Sequence, residues 1–116
     1  EPSVVKSMTR LQHHRGPDGT GFWDDEHISL GHSRLAIVDL EGSPQPISSN
    51  HGCILIVNGE IYNYQNLRES NETYPWKTMG DSEIILALHK SATHGIKHPD
   101  AEDHCKWLKQ LDDTLI

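Results

Sequence analysis

Residues 57–64 carry the side chains best suited to chemistry, because an apolar run ends there in an amide, a glycine and a carboxylate. The side-chain N–H of Asn58 and the backbone N–H of Gly59 are adjacent donors that could face a developing oxyanion. Glu60 adds a fixed negative charge beside them. The alternative interpretation is a hairpin turn, since Asn-Gly is a common two-residue turn. Taken alone, the dipeptide favours the turn.

Arg34 and Asp81 extend this set toward an amino-acid ligand. A free amino acid is a zwitterion, so a site for it needs a cation for the carboxylate and carboxylates for the ammonium group. Arg34 opens the apolar run 35–38, and Glu60 and Asp81 each stand at a predicted junction between a strand and a helix. Taken singly, Arg34 is more typical of a solvated strand end and Asp81 of a helix cap.

The two cysteines predict neither a disulfide framework nor a zinc site. Cys53 and Cys105 are too few and too far apart along the chain for either. Cys53 also opens the apolar run 53–57, where a buried and unreactive thiol is expected. The pair is therefore typical of reduced thiols in the cytosol.

The histidine-rich stretch at 94–104 is a weak candidate for a metal site. His94 and His98 lie four residues apart, and acidic residues follow them. Gly95 and Pro99 would interrupt the helix needed to align these side chains. We therefore expect no metal and no cofactor to be bound by this chain.

Composition limits the classes of partner. The 116 residues suffice for one domain or part of one, and 34% apolar residues indicate a thin core. A formal net charge of −7 disfavours binding to nucleic acid or to anionic lipid. No apolar run is long enough to cross a membrane, and the first residues lack the layout of a signal peptide. We expect a cytoplasmic protein with a small-molecule ligand.

Short helices and strands are predicted around the candidate residues. Apolar residues at helical spacing predict a helix over residues 3–13, which Gly16 and Pro17 end. Asp81 is predicted to cap the strongest helix, which Gly95 ends. Further helices are expected at 62–69 and around 107–111, strands at 22–23, 28–30, 35–38 and 53–57, a loop over 39–50 leading to a hairpin at 50–52, and an edge segment at 74–78. A sheet of neighbouring strands with helices before and after it indicates an α+β fold.

Blocks of sequence occur in the order found in a known family. They are HRGPDG at 14–19, GHSRLAIVD at 31–39, QP at 45–46, NGEIYN at 58–63 and DSE at 81–83. In this order they resemble the class II glutamine amidotransferase domain of glutamine-hydrolysing asparagine synthetases. The resemblance runs from about residue 8 to about residue 88 within a partial domain spanning 1–116, and residues 95–116 form a divergent tail. It implies part of the family's four-layer αββα sandwich.

The resemblance also implies a role for each candidate residue. Arg34 would hold the α-carboxylate of L-glutamine, and Asn58 and Gly59 would form the oxyanion hole. Glu60 and Asp81 would hold the ammonium group. The backbone lining the ligand would come from Leu35, Ala36, Ile37 and Val38. The loop at 15–19 would support the site.

The nucleophile of that family is an N-terminal cysteine, whose α-amino group serves as the base. This chain begins with Glu1, and neither Cys53 nor Cys105 has an α-amino group to use. The resemblance therefore implies a chain truncated at both ends, which holds glutamine but is inactive alone. In the complete family reaction, ammonia from glutamine amidates aspartate in a C-terminal synthetase domain that uses ATP and magnesium. The alternatives are a non-catalytic glutamine-binding or interaction module and a non-functional remnant.

Overall fold

The structure, a computed structural model, describes residues 1–35 and 43–112. Its elements, in chain order, are α1 (Pro2–Leu11), β1 (Gly19–Asp24), β2 (Ser29–Arg34), β3 (Ile47–Ser48), β4 (Ile54–Leu55), α2 (Tyr64–Glu69), α3 (Ile84–Thr93) and α4 (Ala101–Asp112). Helices combined with antiparallel strand pairs confirm the predicted α+β class. None of the helices in the described ranges is both long and apolar enough to span a membrane.

The chain divides into two compact units. The first contains Glu1–Val57 and Thr78–Gly80, and the second contains Asn58–Lys77 and the described residues from Asp81 onward. The first unit therefore holds α1 and all four strands, and the second holds α2, α3 and α4.

In the first unit, α1 packs on the antiparallel β1–β2 hairpin. Pro2 lies in the first turn of α1, where its fixed φ suits a helix and its missing N–H costs nothing. A Cβ on Gly31 would overlap the Thr9 hydroxyl, so the glycine in β2 is what allows the helix to approach this closely. The predicted helix at 3–13 is confirmed, with its end two residues earlier.

The turn between β1 and β2 is built by Asp25. Its Oδ1 accepts hydrogen bonds of 2.7 Å from the backbone N–H groups of His27 and Ile28. These hydrogen bonds stabilise the ionised carboxylate and so lower the pKa of Asp25. The two strands predicted here are confirmed, and both are longer than predicted.

The second strand pair, β3 and β4, is a short hairpin closed by Ser49. The Ser49 hydroxyl accepts from the N–H of His51 and of Cys53, while Ile47 pairs with Leu55. The hairpin at 50–52 is confirmed. The extent predicted for the strand at 53–57 was wrong, because the Val57 N–H donates to the side chain of Gln45 instead of to a neighbouring strand. The loop predicted over 39–50 also contains β3.

The second unit has a helical core. Its buried members share the α3–α4 interface, and partly buried side chains from the preceding segments pack around them. The buried residues are Ile84, Leu88, Trp107 and Leu111, and the partly buried ones are Ile61, Leu67, Trp76, Ile85 and Ala92. The predicted final helix is confirmed as α4, and the helix expected at 62–69 begins two residues later as α2. No strand forms at 74–78 within the described chain, so the edge segment was wrong.

The start of α3 differs from the prediction in an informative way. Glu83, not Asp81, occupies the cap position, and no side chain caps the helix by a hydrogen bond. The Asp81 carboxylate is engaged elsewhere, because its Oδ2 accepts the Ile61 N–H at 2.7 Å. The prediction that Asp81 is a helix cap was therefore wrong, since a tertiary partner replaces the local one.

Candidate functional site

Arg34 is the last residue of β2, opposite Gly19 in the hairpin register. The prediction that it opens a separate strand at 35–38 was wrong for the part that can be seen, because Leu35 follows the strand and is 59% exposed. Ala36, Ile37 and Val38 lie outside the described residues. Arg34 itself is half-buried.

The loop before β1 holds the backbone of Arg34. The Asp18 N–H donates to the Arg34 carbonyl at 2.9 Å. Gly16 lies so close to the Ser33 carbonyl that any Cβ there would overlap it. The Ser33 hydroxyl in turn donates to the Thr9 carbonyl on α1 at 2.8 Å. This agrees with the expectation that the loop at 15–19 is a structural support.

His32 and Gln45 meet the backbone of Val57, the residue before Asn58. The Val57 N–H donates to Gln45 Oε1 at 2.7 Å, and the Val57 carbonyl lies 3.1 Å from His32 Nε2. Burial lowers the pKa of His32, and the positive charge of Arg34 lowers it further, while the hydrogen bond to Val57 acts in the opposite direction. His32 Nδ1 is buried and has no hydrogen-bond partner among the described residues.

Asn58 and Gly59 lie between β4 and α2, which bears on the hairpin-turn interpretation of this pair. The hairpin turn of this region is at residues 49–53, so the Asn-Gly pair is not a hairpin turn. Both residues are exposed, and a Cβ on Gly59 would meet nothing within 4 Å. The backbone at Gly59 is therefore open to an approaching molecule.

Asp81 lies against the segment that follows Gly59. It is only 7% exposed, and its Oδ2 accepts the N–H of Ile61, which is 20 residues earlier in the chain. A carboxylate has about four acceptor sites, so this bond and the 3.5 Å bond from the Ser82 hydroxyl to Oδ1 leave capacity for a cationic group. Asn58, Gly59, Glu60 and Asp81 thus belong to one unit, while Arg34 and Leu35 belong to the other.

Two neighbours order the segment that follows Glu60. The Tyr62 hydroxyl donates to the Glu60 carboxylate, and this bond together with the carboxylate charge raises the pKa of Tyr62. Asn63 Nδ2 donates to the Gln110 carbonyl on α4 at 3.1 Å. Ile61, between Glu60 and Tyr62, packs against the helical core. The candidate residues are therefore attached to a folded support on their C-terminal side.

Glu83 is a site-adjacent residue for which the sequence indicated no contact beyond its place in the block at 81–83. It is fully buried, and both of its carboxylate oxygens accept the Lys77 N–H, at 3.0 and 3.2 Å. His32 and Gln45 were likewise missed as contacts of Val57. All three lie inside the quoted sequence blocks, which was the available signal.

No group of three or more His, Cys, Asp or Glu side chains in the described ranges is arranged to hold a metal ion. The histidines after α3 are separated by the break at Gly95, whose φ of 79° ends the helix. The groups available for chemistry are side-chain amide and backbone N–H donors beside carboxylates.

Comparison with known proteins gives one family. The family described as "Glutamine amidotransferase domain" matches residues 1–98. Relatives include asparagine synthetase (glutamine-hydrolysing) 1 of Bacillus subtilis, 41% identical over 78% of this chain, and asparagine synthetase B of Escherichia coli, 44% identical over 72% of it. A probable asparagine synthetase of Schizosaccharomyces pombe is 43% identical over 82% of the chain. The matched parts make up 15–17% of the length of these relatives.

Proposed function

The chain belongs to the glutamine amidotransferase domain family, and we propose that it binds L-glutamine with the residues that follow β2 and β4. The observation that carries this proposal is the hydrogen bond between Asp81 and Ile61. This bond places the buried Asp81 carboxylate next to the segment that contains Asn58, Gly59 and Glu60. A glutamine site that uses all four residues needs them to be neighbours.

The amide end of glutamine would meet Asn58 and Gly59. Both are exposed, and the Asn58 side-chain N–H and the Gly59 backbone N–H are donors suited to a carbonyl oxygen or the oxyanion that forms from it. The ammonium end would meet Glu60 and Asp81, whose two carboxylates supply the opposite charge.

The α-carboxylate of glutamine would be held by Arg34. A guanidinium presents paired N–H donors that match the two oxygens of a carboxylate. The backbone of residues 35–38 would line the ligand beside it. The fixed carbonyl of Arg34, which accepts the Asp18 N–H, supports this role by holding the end of β2 in place.

We further propose the activity that the relatives' names suggest. The domain would release ammonia from glutamine for the ATP-dependent amidation of aspartate, and ATP and magnesium would bind in a synthetase domain outside these residues. The complete domain would adopt the four-layer αββα sandwich. A cytoplasmic location is consistent with Cys53 and Cys105, which form no disulfide.

Calorimetric titration with L-glutamine tests the binding proposal. Heat saturating at millimolar or lower ligand, with none from D-glutamine, is the expected result. Asp81→Asn keeps an acceptor for the Ile61 N–H but removes the charge, so we expect at least tenfold weaker binding from the lost ion pair with the ammonium group. Arg34→Gln should weaken binding similarly.

Matched controls are available for both charges. Glu69→Gln on the exposed side of α2 and Arg10→Gln on the exposed side of α1 change the net charge equally and should leave the affinity within about twofold. Equal binding by Asp81→Asn and by the unaltered chain would contradict the assignment of the ammonium site. Saturation by D-glutamine with the same affinity would contradict a built amino-acid site.

A further inference from the structure

We infer that His32 and Gln45 are positioning residues that hold the two peptide groups on either side of Val57 and so aim the Asn58–Gly59 donor pair. The inference rests on the proposed function, because it explains how the amide end of the ligand is recognised. Neither the charges of the side chains nor the order of the sequence blocks had indicated this role for His32 and Gln45.

The geometry of the clamp is complete on both sides of Val57. Its N–H donates to Gln45 Oε1 at 2.7 Å, and its carbonyl accepts from His32 Nε2 at 3.1 Å. In a sheet, these two groups would be paired by a neighbouring strand, but β4 ends at Leu55. Two side chains therefore replace a strand partner two residues beyond the end of β4, and they satisfy backbone groups that would otherwise lose hydrogen bonds on burial.

His32 holds the peptide group that joins Val57 to Asn58, and Gln45 holds the preceding one, which joins Ile56 to Val57. The carbonyl of Val57 and the nitrogen of Asn58 belong to one planar group, so fixing the carbonyl direction fixes that plane. An oxyanion donor must lie about 2.7–3.1 Å from the oxygen that it stabilises, which leaves little tolerance for rotation. A clamp on this peptide is thus a direct means of setting the donor geometry.

A single glycine places both parts of the clamp. Gly21 in β1 pairs with His32 in the hairpin register. A Cβ on Gly21 would overlap the Gln45 carbonyl, so only glycine lets the Gln45 backbone lie against the hairpin at this point. His32 and the Gln45 backbone therefore both lie next to Gly21 in the β1–β2 hairpin.

The protonation of His32 suits the role of donor. A carbonyl only accepts, so Nε2 must carry the proton that it donates to Val57. Burial disfavours the second proton, which is why the pKa of the ring is lowered and Nδ1 stays an acceptor. The neutral ring then has its one N–H committed to the clamp.

The test compares two ligands that share the α-amino and α-carboxylate groups. L-Norvaline has the glutamine skeleton without the carboxamide, so the ratio of its dissociation constant to that of L-glutamine measures recognition of the amide end. His32→Leu and Gln45→Met remove the donor and the acceptor at similar side-chain size. His32→Gln and Gln45→Glu keep them, and His27→Leu in the exposed β1–β2 turn is the control.

We expect the affinity ratio to fall about threefold to tenfold in His32→Leu and Gln45→Met, the range of one neutral hydrogen bond, with norvaline binding unchanged within twofold. His32→Gln and Gln45→Glu should recover most of the ratio, and His27→Leu should keep all of it. An unchanged ratio in His32→Leu and Gln45→Met would overturn the clamp. Equal binding of glutamine and norvaline by the unaltered chain would instead overturn the role proposed for Asn58 and Gly59.

A second measurement tests the clamp without any ligand. The backbone amide resonance of Asn58 comes from the nitrogen of the peptide group that His32 holds. Its chemical shift should therefore change in His32→Leu and return toward the original value in His32→Gln. An Asn58 resonance that stays in place in His32→Leu would refute the clamp whatever the ligands do. If His32→Leu fails to fold, the Gln45→Met and Gln45→Glu pair gives the same comparison at the Val57 N–H.

Discussion

The Asp81 carboxylate accepts the Ile61 N–H at 2.7 Å, which joins the turn before α3 to the segment before α2. This bond spans 20 residues and takes the place of the local cap that the sequence suggested. It has a mechanical consequence as well as a chemical one, because the backbone next to Glu60 is held by the same carboxylate that is proposed to bind the ligand.

The first prediction concerns this bond. In Asp81→Ala, the Ile61 N–H loses its acceptor, and we expect its hydrogen exchange to accelerate by about one to two orders of magnitude, equivalent to about 1–3 kcal/mol. In Asp81→Asn, the amide oxygen still accepts, so the exchange rate should rise less than tenfold. Amide exchange followed by NMR measures both variants. The same protection of Ile61 in Asp81→Ala as in the unaltered chain would contradict the bond.

The second prediction concerns Glu83, the fully buried carboxylate that accepts the Lys77 N–H. Glu83→Ala removes a charged acceptor and leaves a cavity, so we expect the free energy of unfolding to fall by about 2–4 kcal/mol. Glu83→Gln retains an acceptor and the side-chain volume, and its loss should be smaller. Urea unfolding followed by tryptophan fluorescence gives the values, with exposed Glu72→Ala as the control expected within about 0.5 kcal/mol. Similar losses for Glu83→Ala and Glu72→Ala would be the contrary result.

The third prediction concerns the histidines between α3 and α4. The rings of His89 and His104 are stacked at 5.6 Å, and Trp107 Nε1 donates to His104 Nδ1 at 3.3 Å. Burial, and then the neighbouring His104, lower the pKa of His89. The unfolded chain therefore binds a proton at a higher pH than the folded one, so stability is full above about pH 6.5 and falls as the pH drops below it.

The variant that isolates this effect is His89→Leu. Because His32 is shifted in the same direction, His89→Leu should reduce the slope of unfolding free energy against pH between about 6.5 and 5 without abolishing it. His98→Asn, at an exposed position, is the matched histidine control. Urea unfolding at several pH values provides the comparison, and parallel curves for His89→Leu and the unaltered chain would rule out a contribution from His89.

Features fixed by neighbouring residues were predictable from sequence. The β1–β2 turn is one, since Asp25 satisfies N–H groups only two and three residues away. The end of α1 and the hairpin closed by Ser49 are others, because their hydrogen bonds are also local. The residues of the candidate site could likewise be named from the ordered blocks, because the residue types determine which charges and hydrogen-bond donors are present.

Features that depend on long-range partners were not predictable in the same way. The cap role of Asp81 failed because the preferred partner is Ile61, and the extent of the strand at 53–57 failed because Gln45 takes the Val57 N–H. His32 reaches the same residue across 25 positions. Spacing within a block gives no measure of such distances, so the clamp could be seen only once the chain was folded.

The last prediction concerns the helical core that supports the site. Leu88 is almost fully buried and shares the cluster with Trp107 and Leu111. Leu88→Ala removes about three buried side-chain carbon atoms and leaves a cavity, so we expect the free energy of unfolding to fall by about 2–5 kcal/mol. Leu108→Ala, on the outer side of α4 at 45% exposure, should cost less than about 1 kcal/mol. Urea unfolding measures the difference in stability. Because Ile61 packs on this cluster, Leu88→Ala should also weaken glutamine binding, whereas Leu108→Ala should not. Comparable losses of stability in the two variants would show that the α3–α4 interface is not the core of this unit.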